Sequence, residues 1–355
     1  MNRIEILCSS HGFGHLARQL AVAEALLERG ETPRVWTAAP ATLVRDYLPS
    51  IEVVEARLDV GLVQRDSLHE DLPATVEALA ERTSDPAVDN LAYRLSGADL
   101  AIVDIAPTAL EACRRAGVPA VAVGNFDWAW IYSQLPGLQE YAELFARWQA
   151  PHPAIQLEPG PPLHGFRSVR SAGVVGRWRP ALRPEGCDDI AVLVSFGGFG
   201  LDALDAALPE LPGVTWVLAP PMQHLDRPDC VFVEGTSYPA LVGGCDLVLT
   251  KPGYGIYSEC ALAGTPVVAL RRPGFPEASY LERAFAQRGD RLLAAGTDDL
   301  PALKAELADS VRELAGQRRP PAAKDGARKV VDLALEMAGR APAAPSLDLS
   351  VTSRA

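Results

Sequence analysis

The chain has 355 residues, more than one hydrophobic core usually serves, so its length predicts two domains of about 150 residues each. Hydrophobic residues make up 48% and charged residues 22%, which excludes a disordered or collagen-like chain. The formal net charge of -12 argues against nucleic acid or anionic lipid as a partner, because these need a broad basic face. A metabolic small molecule is the expected ligand.

The cysteines and the apolar runs indicate the compartment. The six cysteines include no Cys-x-x-Cys pair, and the sequence does not begin with a cationic, apolar leader and cleavage site. No uninterrupted apolar run approaches the roughly 20 residues needed to span a bilayer. We therefore expect a reduced, cytoplasmic protein without a membrane span.

The first half alternates strand-like and helix-like segments. An apolar run at 4–10 ends in a glycine-bearing turn at 11–14, and an amphipathic helix is predicted over 15–29. Further strands are predicted at 34–38, 51–55, 99–104 and 119–123, with helical stretches around 71–95 and 107–116. Such alternation predicts an α/β fold with a mainly parallel sheet covered on both faces.

The second half repeats this organisation. A strand at 189–196 leads into a second glycine loop, a helix at 201–208 and strands near 214–219, 231–233, 246–250 and 266–270. Two Rossmann-like domains are therefore predicted, at 1–178 and 187–322, followed by a C-terminal helix at 323–339 and a disordered tail at 340–355. The Pro-rich and Arg-rich stretch 151–184 is interpreted as a solvated interdomain connection, with phosphate or acceptor binding as the alternative.

The first glycine loop carries two histidines, His11 and His15. Gly14 lets the backbone approach a bulky ligand, and the following helix points unpaired N–H groups at an anion. A third glycine is missing, so the loop is not a dinucleotide fingerprint. His15 is the preferred general base because imidazole titrates near neutral pH. The alternative is that His15 caps or packs the turn; His11 has a weaker claim.

The second half offers two anion cradles. Gly197 and Gly198 directly follow a strand, and Gly253 and Gly255 precede another predicted helix. Glu259 lies about one turn into that helix, where its carboxylate could accept both hydroxyls of a ribose. A capping or solvated role for Glu259 is the alternative.

The segment 125–130 follows the strand at 119–123, and ligands gather at the carboxyl ends of parallel strands. Asp127 could position a sugar or assist His15, and Trp128 could stack on a sugar or belong to the aromatic core. Asp104, at the end of another strand, is a similar candidate for a site residue. The histidines lack metal-ligand spacing and no Asp-x-Asp occurs, so the sequence does not require a metal.

These residues resemble the GT-B glycosyltransferases, which have two facing Rossmann domains. The likeness is greatest to the glycosyltransferase-like amino-terminal half of plant L-arabinokinases and related bacterial predicted glycosyltransferases, and it spans roughly residues 1–300. The matching segments are 11–18, 61–66, 103–107, 125–132, 196–198, 251–259 and 271–281. The resemblance ends before the kinase half, so sugar kinase activity is not expected.

A more distant likeness is to the peptidoglycan N-acetylglucosaminyl transferase, whose second domain carries the donor nucleotide. It implies that Gly253, Gly255, Ser258 and Glu259 bind the nucleotide diphosphate and ribose, and that Glu277 holds donor-sugar hydroxyls. The usual Gln-x-x-Asn is absent, which leaves the donor sugar open.

Together these patterns imply a metal-independent, inverting glycosyltransferase without a cofactor. His15, oriented by Asp127, would deprotonate an acceptor hydroxyl, and the donor would be a nucleotide-diphosphate sugar with UDP expected. His11, Asn125 and Trp128 would lie on the side of a small-molecule or glycan acceptor, and homo-oligomers are possible. A nucleotide-sugar hydrolase or epimerase of the same fold, or a noncatalytic sugar-nucleotide-binding module, are the alternatives.

Overall fold

A computed structural model describes residues 3–9, 13–63, 70–187, 189–196, 204–220, 222, 224–271, 275–296 and 298–339. It contains two separate parallel sheets, each with helices packed against it. None of the helices in these ranges has the length and apolar character needed to cross a membrane.

The first sheet has seven strands in the order β3-β2-β1-β4-β5-β6-β7. The strands are β1 (Ile4–Leu7), β2 (Arg34–Thr37), β3 (Glu52–Glu55), β4 (Leu100–Val103), β5 (Ala120–Gly124), β6 (Pro153–Leu157) and β7 (Ser168–Gly173). The helices of this half are α1 (Phe13–Glu28), α2 (Ala41–Tyr47), α3 (Leu72–Arg82), α4 (Asp85–Leu95), α5 (Pro107–Ala116), α6 (Trp128–Ser133) and α7 (Gln139–Gln149). β1 and β4 are buried along their whole length, as central strands covered on both faces must be.

The second sheet has six strands in the order β10-β9-β8-β11-β12-β13. The strands are β8 (Ile190–Ser195), β9 (Val214–Leu218), β10 (Cys230–Phe232), β11 (Leu247–Thr250), β12 (Val267–Leu270) and β13 (Arg291–Leu293). The helices are α8 (Leu204–Ala207), α9 (Tyr238–Gly244), α10 (Tyr254–Ala263), α11 (Ala278–Gln287), α12 (Leu300–Leu314) and α13 (Gly326–Met337). The α/β architecture with two parallel sheets expected from the sequence is confirmed.

The structure refines two local expectations. The helical stretch at 71–95 is divided into α3 and α4 at Thr83 and Ser84, because Pro86 fits the first turn of a new helix but not a helix interior. The stretch 151–184 is not only a connection, since it contributes β6 and β7 to the first sheet. Pro153 stands at the first position of β6, where proline is tolerated.

The C-terminal helix α13 returns to the first half of the chain. It packs against α1 and against β5, β6 and β7. Val330 and Val331 are fully buried there, and Arg328 pairs with Glu28 at 3.1 Å. A Cβ on Gly326 would lie 2.1 Å from the carbonyl oxygen of Val174, so only glycine fits where the helix begins. The last helix therefore packs against the first sheet and the first helix of the chain.

Each sheet has a strand-order reversal at its centre. Consecutive strands run outward from β1 in one direction, and the chain then crosses to β4 on the other side of β1; β8 and β11 have the same relationship. In open parallel sheets, ligands bind beyond the carboxyl ends of the strands at this reversal. The segments that follow β1, β4, β8 and β11 are therefore where a site is expected.

Candidate active site

A buried polar cluster lies where β1 and β4 end. His15, in the first turn of α1, directs its Nδ1 at the Asp104 carboxylate, 3.2 Å from Oδ1 and 3.1 Å from Oδ2. Arg18, three residues further along α1, donates from Nη2 to Asp104 Oδ1 at 2.6 Å and lies 2.5 Å from His15 Nδ1. The spacing of three residues places both side chains on one face of the helix.

The backbone beside Asp104 is unusual. Ile105 has φ 46°, in a region that β-branched residues rarely occupy. A Cβ at Gly124, on the neighbouring strand β5, would lie 2.2 Å from Ile105 Cγ2, so the absence of a side chain at Gly124 makes room for this conformation. Strained backbone clusters at functional sites, where it fixes side chains that a relaxed chain would not hold.

Charge balance within the cluster keeps Asp104 ionised. Burial by itself raises the pKa of Asp104, but the Arg18 guanidinium and His15 outweigh it and the net pKa is lowered. The side chain of Asp104 is wholly buried and that of Arg18 is only 3% exposed. In the tautomer whose Nδ1–H donates to Asp104, the imidazole can take up a proton at Nε2, with the carboxylate stabilising the positive charge.

The carboxylate observed against His15 is not that of Asp127, which caps a helix. Its Oδ1 accepts a hydrogen bond from the N–H of Trp130 at 2.8 Å, which makes it the N-cap of α6, and Gln149 Nε2 lies 3.4 Å away. Burial raises the pKa of Asp127. The carboxylate that contacts His15 is Asp104, because β4 is paired with β1 whereas β5, which precedes Asp127, is one strand further away.

Two residues expected on the acceptor side have structural partners. Asn125 accepts from Arg18 Nη1 at 2.9 Å and donates to the carbonyl of Pro159 at 2.8 Å, so it helps to hold Arg18. Trp128 is fully buried and contacts Phe126 and Tyr132, with ring centroids 5.4 and 5.6 Å away. The position of Trp128 agrees with the core-packing alternative rather than with stacking on an acceptor. His11 lies outside the described residues.

The starts of α1 and α10 touch each other. A Cβ on Gly14 would lie 3.3 Å from the backbone nitrogen of Gly255, and one on Gly255 would lie 2.8 Å from the Cα of Gly14. Gly253 is the N-cap residue of α10. The start of α1, which carries His15, and the glycine loop of the second half are thus brought together at the amino end of α10.

Ser258 and Glu259 are covered by the chain between the two sheets. They are 2% and 3% exposed, and Arg177 Nε donates to Glu259 Oε1 at 2.7 Å. Burial opposes the charge on Arg177, but Glu259 outweighs it and the pKa of Arg177 is raised. The guanidinium also lies 5.5 Å from the ring centre of Tyr47. Arg177 was one of many arginines in its stretch, and nothing in the sequence distinguished it as the partner of Glu259.

Glu277 is a further charged residue of the second half whose position bears on the site. It is 7% exposed and lies immediately before α11. Its charge and that of Arg18 both act on the phenol of Tyr254, the first residue of α10. Gly197 and Gly198 lie outside the described residues. Within the described ranges, no group of three or more His, Cys, Asp or Glu side chains could hold a metal ion.

Comparisons with solved structures identify the class of fold. The spinosyn forosaminyltransferase SpnP has a TM-score of 0.61 at 16% identity, covering 95% of both chains. A UDP-glucosyltransferase from Polygonum tinctorium, described as capable of glucosylating indoxyl, has a TM-score of 0.57 at 16% identity and covers 95% of this chain and 93% of that one. UGT89C1 of Arabidopsis thaliana has a TM-score of 0.58 at 14% identity, covering 94% of both chains. The chain has the GT-B fold of these glycosyltransferases, as expected from the sequence.

Comparison of sequences finds similarity to a plant enzyme. L-arabinokinase of Arabidopsis thaliana is 28% identical over 297 residues, which are 77% of this chain and 28% of that protein. The chain thus spans little more than a quarter of the length of that relative. No protein-family model matches the chain. The resemblance to GT-B glycosyltransferases and to L-arabinokinase is confirmed.

Proposed function

We propose that the chain is a glycosyltransferase that moves a sugar from a nucleotide-diphosphate sugar, with UDP as the nucleotide, to an acceptor hydroxyl. The observation that carries the proposal is the contact between Gly14 and Gly255, which puts the His15–Asp104 pair beside the amino end of α10. A general base and an anion-binding helix start are the two elements that such a transfer needs.

The proposed chemistry is a single displacement at the anomeric carbon. His15 Nε2 removes the proton of the acceptor hydroxyl as its oxygen attacks, and the bond to the diphosphate breaks on the opposite face, so the configuration inverts. Asp104 stabilises the imidazolium that forms, and Arg18 keeps Asp104 ionised. General-base assistance of this kind supplies about 10²–10⁴-fold.

The diphosphate would leave towards the start of α10. Unpaired backbone N–H groups and the helix dipole favour negative charge there, and they are fixed before the reaction begins. Gly253 and Gly255 present no side chain that would separate a phosphate from those amides. In this proposal the transfer needs no divalent metal and no cofactor, and Glu259 and Ser258 serve the ribose and diphosphate.

The proposal also assigns a role to each half of the chain, and a compartment to the reaction. Residues 1–178 would form the acceptor domain and 187–322 the donor domain, as in a GT-B enzyme with its donor in the second domain. Cys8, Cys113, Cys245 and Cys260 are buried free thiols, a pattern typical of reducing compartments, and we place the reaction in the cytoplasm. The UDP donor is supported by the fold shared with a UDP-glucosyltransferase.

The test is a titration followed by product analysis. The protein is titrated with UDP, ADP and GDP, and then incubated with sugars of the best nucleotide and a panel of hydroxyl acceptors, with and without EDTA. We expect UDP to bind best and the product to have the inverted anomeric configuration regardless of EDTA. Donor breakdown without any acceptor product would favour a hydrolase, and absence of nucleotide binding would contradict the proposal.

A further inference from the structure

Tyr254 has a buried hydroxyl group that makes no hydrogen bond within the described part of the chain. It is the first residue of α10 and is 7% exposed. A buried polar group without a partner destabilises the folded state, and native proteins rarely retain one without a reason. Phenylalanine would fill the same space without this cost, so packing does not explain the hydroxyl.

The surroundings of Tyr254 place it at the candidate active site. Its ring lies 5.6 Å from that of Phe126, and the Phe126 ring also lies 5.9 Å from the imidazole of His15. The charges of Glu277, in the second half, and Arg18, in the first, act on the phenol from opposite domains. Tyr254 therefore lies beside the junction at which Gly14 meets Gly255, the residue that follows it in α10.

The phenol is a hydrogen-bond donor at any physiological pH. Burial raises the pKa of Tyr254 well above its usual value, so the proton stays on the oxygen. A neutral donor suits a neutral acceptor such as a sugar hydroxyl, whereas the nearby Glu277 carboxylate can only accept when ionised. A sugar hydroxyl group is both donor and acceptor. It can therefore accept a hydrogen bond from the Tyr254 phenol and donate one to the Glu277 carboxylate.

We propose that the Tyr254 hydroxyl binds the sugar carried by the donor nucleotide by donating a hydrogen bond to one of the sugar's hydroxyl groups. The inference rests on the proposed function and adds a residue that selects the sugar rather than the nucleotide. Tyr254 is then a specificity residue, and Arg18 and His15 remain the groups on the acceptor side.

The test compares Tyr254→Phe with Tyr257→Phe, a second buried tyrosine on α10 whose ring packs on Phe285 at 5.2 Å. UDP, UDP-glucose, UDP-galactose, UDP-N-acetylglucosamine and UDP-arabinose are titrated into the wild type and both variants, and thermal unfolding is followed. We expect Tyr254→Phe to lose about tenfold in affinity for the best-bound sugar nucleotide, to keep its UDP affinity, and to be no less stable than the wild type. Tyr257→Phe should keep both affinities.

The outcomes separate this inference from the function on which it rests. Equal binding of the sugar nucleotide by the wild type and Tyr254→Phe would overturn the sugar-reading role and leave the glycosyltransferase proposal intact. An equal loss for UDP and for its sugars would also overturn that role, because the phenol would then serve the nucleotide. A wild type that binds UDP and no UDP-sugar more tightly would overturn it as well, and one that binds no nucleotide would overturn both.

Discussion

Asp104 Oδ2 lies 3.1 Å from His15 Nδ1, although 89 residues separate the two along the chain. The contact is produced by the sheet order, which pairs β1 with β4 and brings together the segments that follow them. Arg18, on the same face of α1 as His15, donates to Oδ1 of the same carboxylate. Histidine, aspartate and arginine form one buried unit at the carboxyl end of the first sheet.

The choice between the two aspartates can be tested by turnover. Asp104→Asn removes the charge that stabilises the imidazolium, so we expect transfer to slow by about 10²–10⁴-fold. Asp127→Asn keeps an N-cap acceptor for α6 and should leave turnover within a few-fold of the wild type. Initial rates at saturating donor, measured for both variants, decide which aspartate supports His15. A larger loss in Asp127→Asn than in Asp104→Asn would restore the pairing first suggested by the sequence.

The pH dependence of stability should identify Asp127 as a buried carboxylate. Because burial raises its folded-state pKa, the folded protein holds this proton more tightly than the unfolded chain does. Its contribution to stability is therefore present at low pH and is lost as pH rises from the ordinary aspartate value, about 3.9, through the raised pKa. Asp127→Asn should gain stability relative to the wild type as pH rises from about 4 to 7.

Urea unfolding at several pH values measures this difference. The matched control is Asp299→Asn, which makes the same exchange at the exposed N-cap of α12, where Asp299 Oδ1 accepts from Ala302 at 3.1 Å. Its stability relative to the wild type should change much less with pH. A flat difference for Asp127→Asn over the same range would show that its carboxylate is not penalised by burial.

The close approach of α1 and α10 predicts a selective effect of one methyl group. Gly255→Ala would place a Cβ 2.8 Å from the Cα of Gly14, and backbone cannot yield as a flexible side chain does. We expect a loss of about 1–3 kcal/mol in the free energy of unfolding. Gly253→Ala is the control, since its Cβ would meet nothing closer than Ile256 Cγ2 at 3.9 Å. Equal stability of the two variants would mean that the helix starts do not touch in solution.

The proposed role of Glu259 can be isolated with a modified nucleotide. If its carboxylate accepts ribose hydroxyls, the wild type should bind UDP about tenfold more tightly than 2′-deoxy-UDP. In Glu259→Gln this preference should disappear, while the amide oxygen can still accept from Arg177 Nε. Calorimetric titration of both nucleotides into both proteins gives four affinities. Comparing them isolates the coupling between the Glu259 side chain and the 2′-hydroxyl. A preference that survives in Glu259→Gln would leave Glu259 as the structural partner of Arg177 alone.

The sequence predicted the periodic features and missed those that depend on strand order. Strands such as β1 and β11 are recognisable because they are buried on both faces and adjoin glycine loops. Asp104 and Asp127 both follow strands, and the sequence does not state which strand lies beside β1. Tyr254 was overlooked because only the assembled structure shows that its hydroxyl is buried without a hydrogen-bond partner among the described residues.

Arg177 illustrates a different limit. The stretch 151–184 contains several arginines, and composition gives all of them the same interpretation as solvated charges. The structure buries Arg177 against Glu259 but leaves Arg170 exposed on β7, where it pairs with Glu336 at 3.3 Å. Which arginine carries an internal contact is decided by the path of the chain between the sheets, a property that no short motif encodes.

The most direct test of the central claim is a paired measurement on His15→Ala. Turnover is measured with the sugar donor and acceptor found for the wild type, and the UDP dissociation constant is measured on the same preparation. The account predicts that turnover falls by about 10²–10⁴-fold while UDP affinity stays within a few-fold of the wild type. Full turnover in His15→Ala would contradict the claim that this imidazole acts as the base across the junction from α10.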